Sequence, residues 1–396
     1  MALRIPEAKD VTRKKVLVRV DFNVPIKNGV VSDDTRIKAH LETLRFLKEN
    51  GAFITLISHL GRPKEGRDPE FSLKPVAEYL SNLTGWKVNF IPDCIGEAVE
   101  GAVASQLQDE IIVLENVRFY KEETKNDPSF AEKLAKPFEV FVMDAFSAAH
   151  RAHASTRGVA DYLKSFAGFL IKKEIESLSV VRDNPTHPYV LILGGAKVSD
   201  KIGVIENLLP KVDHILIGGG MAYTFLKAKG YGIGKSLCEE DKIEYANKLI
   251  SLSQVKGVKI HLPLDCVATL EAKADVPTIV IDTETSIPDD MMGLDIGPKT
   301  IKAFCEVIKE AKTIFWNGPM GVFELEPFRS GTEKVAIAVA DVAKRGGYAV
   351  VGGGDTAAAV NVFGLSDQMT HVSTGGGASL EFMEGKMLPG IEPLLD

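Results

Sequence analysis

Tyr348-Ala349-Val350-Val351-Gly352-Gly353-Gly354-Asp355-Thr356-Ala357-Ala358-Ala359 passes from an apolar β-run through three glycines and an acid into alanine-rich sequence. That order predicts a strand, a tight loop and a helix N-terminus. Such a loop can bring bare backbone N–H groups against a phosphate. Asp355 stands where a carboxylate can share a Mg²⁺ ion with phosphate oxygens, which makes the loop a candidate metal-nucleotide site. Taken alone, the same stretch is equally a turn whose Asp caps a helix. It is not alone. Ile215-Leu216-Ile217 runs into Gly218-Gly219-Gly220, Leu191-Ile192-Leu193 into Gly194-Gly195, and His371-Val372-Ser373 into Thr374-Gly375-Gly376-Gly377. Four strand ends with glycine clusters point to one edge of a parallel sheet, where open α/β folds bind ligands.

Working outward, strands alternate with helices along the whole chain. In the first half, β-like runs at Lys15 to Phe22, Phe53 to Ser58, Ile111 to Leu114 and Val140 to Asp144 are separated by helical patterns. Those helices are expected at Arg36 to Glu49, Lys74 to Leu83 and Ile95 to Leu107. The second half repeats the design, with strands expected at Val190, Ile215, Lys259, Thr278, Ile314, Ala349 and His371. This alternation argues for doubly wound parallel sheets rather than a sandwich.

Composition divides the chain near residue 170. Residues 1–170 hold 10 of 13 arginines but 9 of 35 glycines. We therefore expect an α/β protein of two doubly wound, Rossmann-like parallel-sheet domains, 1–170 and 171–384, with a cleft between them. The stripe Ile171, Ile175, Leu178 and Val181 predicts an interdomain helix over 171–183, ended by Asp183-Asn184-Pro185. The tail from about 385 to 396, with Leu388, Ile391 and Leu394, is too short to be a domain and is expected to pack back on the first one.

At 396 residues, with 45% hydrophobic and 26% charged residues, the chain has an ordinary globular composition. Cys94, Cys238, Cys266 and Cys305 stand too far apart for a zinc pattern or a secreted disulfide framework. No stretch reaches the ~18 apolar residues of a membrane span, and no signal peptide is recognisable. The expectation is a cytoplasmic protein with no membrane partner. A net charge of −7 argues against a general nucleic-acid binder. Any anionic ligand must therefore meet a local basic cluster.

That cluster is legible in the first half. Arg19-Val20-Asp21-Phe22-Asn23, Asp33-Asp34-Thr35-Arg36, Ser58-His59-Leu60-Gly61-Arg62-Pro63, Glu115-Asn116-Val117-Arg118 and Ala149-His150-Arg151-Ala152-His153 all lie at or near expected strand ends. Any single Arg is ordinarily a surface charge. Several at strand C-termini match a small, strongly anionic substrate, because guanidinium forks pair bidentately with phosphate and carboxylate. In the second half, Lys197 and Lys201 follow Gly194-Gly195-Ala196 at i, i+4 spacing, so on a helix opening there both ammonium groups would face a polyphosphate. An exposed basic helix turn has the same pattern. Two familiar motifs fail: Gly234-Lys235-Ser236 lacks the first glycine and the strand of a P-loop. The pattern Gly352 to Ala357 fits a dinucleotide fingerprint, but the next expected strand ends in glycines where an acid should receive the ribose.

Taken together, these stretches resemble the phosphoglycerate kinase family over essentially the whole chain. The resemblance is carried by Val18 to Pro25, Ser58 to Pro63, His150 to Thr156, Gly194 to Lys201, Trp316 to Glu324, Gly352 to Thr356 and Ser373 to Glu381. It implies reversible Mg²⁺-dependent phosphoryl transfer between 1,3-bisphosphoglycerate and ADP, giving 3-phosphoglycerate and ATP. It places the phosphoglycerate on Asp21, Asn23, Arg36, His59, Arg62, Arg118 and Arg151. Nucleotide falls on Gly194, Gly195, Lys201, Gly218, Gly219, Gly293, Asn317, Glu324, Gly352, Gly353, Gly354, Asp355 and Thr356. Within that set Glu324 would take the ribose hydroxyls and Asp355 the magnesium. Arg36, Lys197, Gly375 and Gly376 would face the phosphoryl group in transit. Ser147-Ala148 departs from the Gly and small residue expected before His150-Arg151. The competing readings are a two-domain dinucleotide oxidoreductase and a non-enzymatic binder of an anionic metabolite.

Overall fold

The computed structural model describes residues 2–64 and 66–396. The chain divides into two compact units. One runs to Glu176 and takes in Met387–Asp396, and the other is Ser177–Lys386.

The first unit is built on six parallel strands, Lys15–Arg19, Phe53–Ile57, Lys87–Ile91, Glu110–Leu114, Val140–Met143 and Lys164–Ala167. Across the sheet they begin in the order Lys87, Glu110, Phe53, Lys15, Val140, Lys164. Val16, Leu17 and Val18 are consecutive and all fully buried, so the central strand is covered on both faces, as a doubly wound parallel sheet requires. From the Lys15 strand the chain first builds toward Phe53 and later crosses to Val140 on the other side. This reversal opens a crevice at the strand C-termini.

The helix expected over Arg36 to Glu49 is two helices, Thr35–Ala39 and Leu41–Glu49, with a break at His40. There the His40 N–H bonds the Ile37 carbonyl in a tight turn. The cause is the His40 side chain, whose Nε2 accepts the Asp21 N–H at 2.9 Å and whose Nδ1 meets Asp144 Oδ2 at 2.7 Å.

The second unit carries the strands Tyr189–Leu193, His214–Ile217, Lys259–His261, Thr313–Asn317, Tyr348–Gly352 and His371–Val372. All neighbours are parallel, and across the sheet they begin in the order Lys259, His214, Tyr189, Thr313, Tyr348, His371. The reversal lies between the Tyr189 and Thr313 strands. The run expected near Thr278 is not part of this sheet. Ile279–Asp282 is an edge strand of a separate antiparallel sheet with Asp265–Thr269 and Met292–Ile296. A parallel partner needs a crossover of a dozen or more residues, and residues 270–278 permit only a hairpin return.

Helix Phe169–Asp183 runs from one unit into the other, with Ile171, Ile175, Leu178 and Val181 all buried. In the tail, Leu388, Ile391 and Leu394 are buried. The Gly390 N–H bonds Ala149 O at 2.8 Å, and the Arg4 N–H bonds Leu394 O at 2.8 Å. Among the described residues no helix is long and apolar enough to cross a membrane.

Candidate active site

In the first unit the loop after Lys15–Arg19 turns Asp21 and Asn23 into the crevice. Asp21 is 4% exposed, and its Oδ2 accepts from Arg36 Nη1 at 2.9 Å and from the Ser147 hydroxyl. Its Oδ1 accepts the Asn23 N–H at 3.0 Å. Burial pushes this carboxyl up, but Arg36, Ser147 and the Asn23 N–H outweigh it and hold Asp21 below the ordinary carboxylate range. Asn23 Oδ1 accepts the Gly61 N–H at 2.8 Å, and Arg118 Nη1 donates to Gly61 O at 2.8 Å. Asn116, fully buried, braces the same loop by donating to Leu60 O and Phe71 O while accepting the Arg118 N–H. The segments at 21–23, 58–62 and 116–118 are therefore one hydrogen-bonded assembly. Gly61 sits at φ +60°, a left-handed position where glycine is unstrained.

The cluster is crowded with positive charge. Burial, then Arg19, Arg151 and Arg62, push Arg118 down to about 10, with Glu123 opposing. Arg62 and Arg151 are exposed, and Arg151 Nε donates to His150 Nε2 at 3.2 Å. His59 and His153 are buried and held neutral: burial first, then the neighbouring arginines, hold His59 well below its ordinary range and push His153 down to about 4.

His153 thereby couples folding to pH. Below its unfolded value of ~6.5 the unfolded chain binds a proton that the folded chain refuses. Stability is therefore lost as pH falls from ~6.5 toward about 4. His153→Gln should remove on the order of 3 kcal/mol of that acid-side loss, read by chemical denaturation at pH 7 and 4.5. Parallel losses in both proteins would show that His153 is protonated in the native state.

In the second unit the opening stretch forms strand Tyr348–Gly352, a turn at Gly353 with φ +91°, and helix Gly354–Val362. Gly354 has open space around it, and the first intrahelical bond is Ala357 N–H to Gly353 O at 3.0 Å. The N–H groups of the first turn are thus left for another acceptor. They border a cavity of about 440 Å³ lined also by Asp200, Lys201, Asn317, Gly318 and Gly376. Asn317 is positioned by donating to Gly352 O at 2.8 Å and accepting from Lys201 Nζ, while Thr356 Oγ1 accepts the Gly318 N–H at 2.7 Å. Burial lowers the Lys201 ammonium, with Asp200 and Asp355 pulling it back up.

This cavity has more acids than bases: Asp200, Asp355, Glu381 and Glu384 against Lys201 and Lys386. A polyphosphate fits such a lining only with a divalent cation to offset the carboxylates. Among the described residues no three His, Cys, Asp or Glu side chains form a metal cage. Asp355, exposed at the helix entry, therefore fits Mg²⁺ held jointly with phosphates and water.

Gly194, Gly195, Gly218, Gly219, Gly293, Glu324 and Gly375 do not line this cavity. Gly194, Gly218 and Gly219 are glycines because the chain crosses itself there: a Cβ on Gly194 would collide with the Pro319 carbonyl, on Gly218 with Met320, and on Gly219 with Gly195. The same loop bonds the Gly195 N–H to Pro319 O and the Gly219 N–H to Met320 O. It continues to Val322, whose N–H bonds Leu294 O beside Gly293, and then to the exposed Glu324. Gly293 N–H donates to Ser236 Oγ, and a Cβ there would collide with Tyr223. Gly375 N–H donates to Ser373 Oγ at 3.2 Å.

The helical pairing of Lys197 with Lys201 is not what the chain does. The helix opens only at Ile202. Gly195 at φ +85° turns the chain, and the Ser199 N–H and hydroxyl are tied to Glu239. Lys197 is exposed while Lys201 is buried against Asn317.

Sequence reading gave no role to His40, Asp144, Glu123 or Ser155, and it met Ser147 only as a departure from the expected pattern. Ser147, the departure noted before His150-Arg151, supplies the hydroxyl on Asp21.

The phosphoglycerate kinase family model matches residues 6–386. A curated phosphoglycerate kinase of Thermosipho africanus is 55% identical over 382 residues, covering 96% of this chain and 95% of the relative. One of Dictyoglomus turgidum is 54% identical over 388 residues, covering 98% and 97%. The solved phosphoglycerate kinase of Coxiella burnetii superposes with a TM-score of 0.86 at 44% identity, covering 97% of this chain and 96% of that one. That of Pyrococcus horikoshii gives 0.83 at 33% identity over 97% and 96%. Two doubly wound sheets, an arginine-rich crevice on one and a glycine-lined cavity on the other thus accompany similarity over nearly the full length: the chain belongs to the phosphoglycerate kinase family, and it is a phosphotransferase of glycolysis.

Proposed function

We propose that the first unit binds 3-phosphoglycerate and 1,3-bisphosphoglycerate, and that the second binds ATP or ADP with Mg²⁺. The observation that carries this reading is the gathering of guanidinium groups on one hydrogen-bonded assembly, with Arg36 on Asp21, Arg118 on Gly61 O and the exposed Arg62 next in the chain, positive charge that a compact polyanion relieves. Asp21, Asn23, Arg36, His59, Arg62, Arg118 and Arg151 form the phosphoglycerate set. Lys201, Asn317, Asp355, Thr356 and the glycines at 352–354 take the nucleotide phosphates. Gly194, Gly195, Gly218, Gly219 and Gly293 shape the remainder, and Glu324 receives the ribose hydroxyls. Bound at Asp355, Mg²⁺ would supply charge neutralisation on the phosphates.

Transfer from an acyl phosphate to ADP leaves a carboxylate that is ionised at pH 7, so no general base is needed. The protein's task is alignment and charge stabilisation. Arg36, Lys197 and the N–H groups at Gly375 and Gly376 are suited to the phosphoryl in flight. Because the two ligand sets belong to different units, transfer requires domain closure, which also keeps water from the acyl phosphate. The setting proposed is a cytosolic monomer acting on small molecules.

A coupled assay for ATP- and Mg²⁺-dependent consumption of 3-phosphoglycerate tests the activity. Arg62→Ala tests the assignment of ligands to units. Arg62 is exposed. Its removal should weaken 3-phosphoglycerate binding by roughly 10- to 100-fold, the worth of a charge-assisted hydrogen bond, and leave ATP binding unchanged. A selective loss of ATP binding in calorimetry would reverse the assignment.

A further inference from the structure

Arg19 is a charged residue with 0% exposure at the end of a strand, directly after the buried apolar run Val16, Leu17 and Val18. Its Nε donates to Ser155 Oγ at 2.7 Å, its Nη1 donates to the Val20 carbonyl, and its Nη2 lies 3.0 Å from His59 Nδ1. Ser155 is held in turn by Glu123, also 0% exposed, whose two carboxylate oxygens accept the Ser155 N–H at 2.9 Å and the Ser155 hydroxyl at 2.5 Å. Burial pulls the Arg19 guanidinium down, and Glu123 and Asp21 pull it back up. Glu123, with Asp21, is therefore a buried counter-charge to Arg19, although burial pushes its own carboxyl up.

A guanidinium has five donors and no acceptor. The contact with His59 consequently has one polarity: Arg19 donates, Nδ1 offers its lone pair, and the ring proton resides on Nε2. An imidazolium would set N–H against N–H. We propose that Arg19 is a positioning residue that locks His59 as the neutral Nε2–H tautomer, with Ser155 and Glu123 fixing the guanidinium, so that His59 offers phosphoglycerate a hydrogen-bond donor rather than a charge. The ligand clause rests on the placement of His59 in the phosphoglycerate site proposed above. Around His59, burial and then Arg19, Arg118 and Arg36 oppose protonation, and Asp21 favours it. A neutral donor also frees the site from the titration that an ordinary histidine undergoes between pH 5 and 8.

The full-length protein labelled with ¹⁵N-histidine tests this by two-bond ¹H–¹⁵N correlation, with His59→Gln assigning the signal. His59 should show a protonated Nε2 and a bare Nδ1, unchanged from pH 8 to 5.5. In Arg19→Met the ring nitrogen Nδ1 loses its donor, so His59 should show mixed tautomers and take up a proton at higher pH than in wild type, while burial, Arg118 and Arg36 still hold it below its ordinary range. Wild type should show only the pH dependence of the phosphate itself, whose second ionisation lies at ~6, and relative to it the variant's KM for 3-phosphoglycerate should fall further on acidification, by up to about fivefold, the gain from a charged over a neutral donor. Should Arg19→Met fail to fold, Ser155→Ala keeps the buried charge but removes the Nε anchor, and it should show mixed tautomers at His59. An imidazolium or an Nδ1–H ring in the wild type, or variants with His59 unchanged, would overturn the lock. Titration with 3-phosphoglycerate that leaves the His59 signals unmoved would remove the ligand clause alone, since the wild-type tautomer is read without ligand.

Discussion

Arg36→Ala is expected to lower kcat by about 10³-fold or more, the loss seen when an arginine finger is removed, while changing 3-phosphoglycerate affinity only modestly. A bland alternative from the sequence is that Arg36 is a helix-entry charge paired with Asp33 or Asp34. The structure gives those acids other partners. Asp33 accepts from the Thr35 N–H and hydroxyl, and Asp34 holds Lys38 and Tyr79. Arg36 instead reaches across to Asp21, and its side chain is 43% exposed, so one guanidinium edge is anchored and the rest is available. A cation held this way costs little reorganisation when negative charge develops on the phosphoryl, which is how an interaction raises kcat rather than binding alone. The fold should survive, because Asp21 keeps the Ser147 hydroxyl and the Asn23 N–H. Steady-state kinetics set beside equilibrium binding decides the matter. A near-normal kcat would reduce Arg36 to a brace for Asp21 and shift the role to Lys197.

What the sequence disclosed here depended on how local the signal was. Gly352 to Ala359 could be read directly, since strand, loop and helix N-terminus are written in consecutive residues, and the four glycine-ended strands fall in one sheet. The strand near Thr278 was misplaced because a short β-prone run looks the same in a parallel or an antiparallel sheet, and only the return length tells them apart. Glycine was ambiguous in another way. At Gly354 the missing side chain leaves open space, whereas at Gly194 it admits another stretch of backbone. Both look alike in sequence. His40 with Asp144, and Ser147 with Asp21, were illegible because their partners lie more than 100 residues away. A histidine in a helical pattern reads as surface or core until the acid opposite it is known. The reading of Lys197 beside Lys201 failed for a related reason: the i, i+4 rule presumes a helix, and Ser199 is drawn off by Glu239, forty residues on.

Asp355→Asn should lower Mg²⁺·ADP affinity on the order of 100-fold and leave 3-phosphoglycerate binding nearly intact. Loss of a metal site's outer partners already costs roughly 10- to 100-fold, and a direct ligand belongs at the upper end of that range. Asparagine keeps the size of the side chain and the helix N-terminus behind it, so the phosphate-facing N–H groups of the first turn remain. What disappears is the carboxylate charge. That distinction fixes the shape of the result. Without Mg²⁺, removing an acid from a lining that already contains Asp200, Glu381 and Glu384 relieves repulsion, so free ADP should bind the variant as well as the wild type or better. With Mg²⁺, the wild type should gain affinity and the variant should gain far less. Calorimetry of ADP with and without Mg²⁺ therefore reads an interaction between metal and mutation rather than a simple loss. If Asp355 were only a helix-entry acid, the substitution would shift both titrations equally. Weakened 3-phosphoglycerate binding in the first unit would instead mark the change as a general structural one.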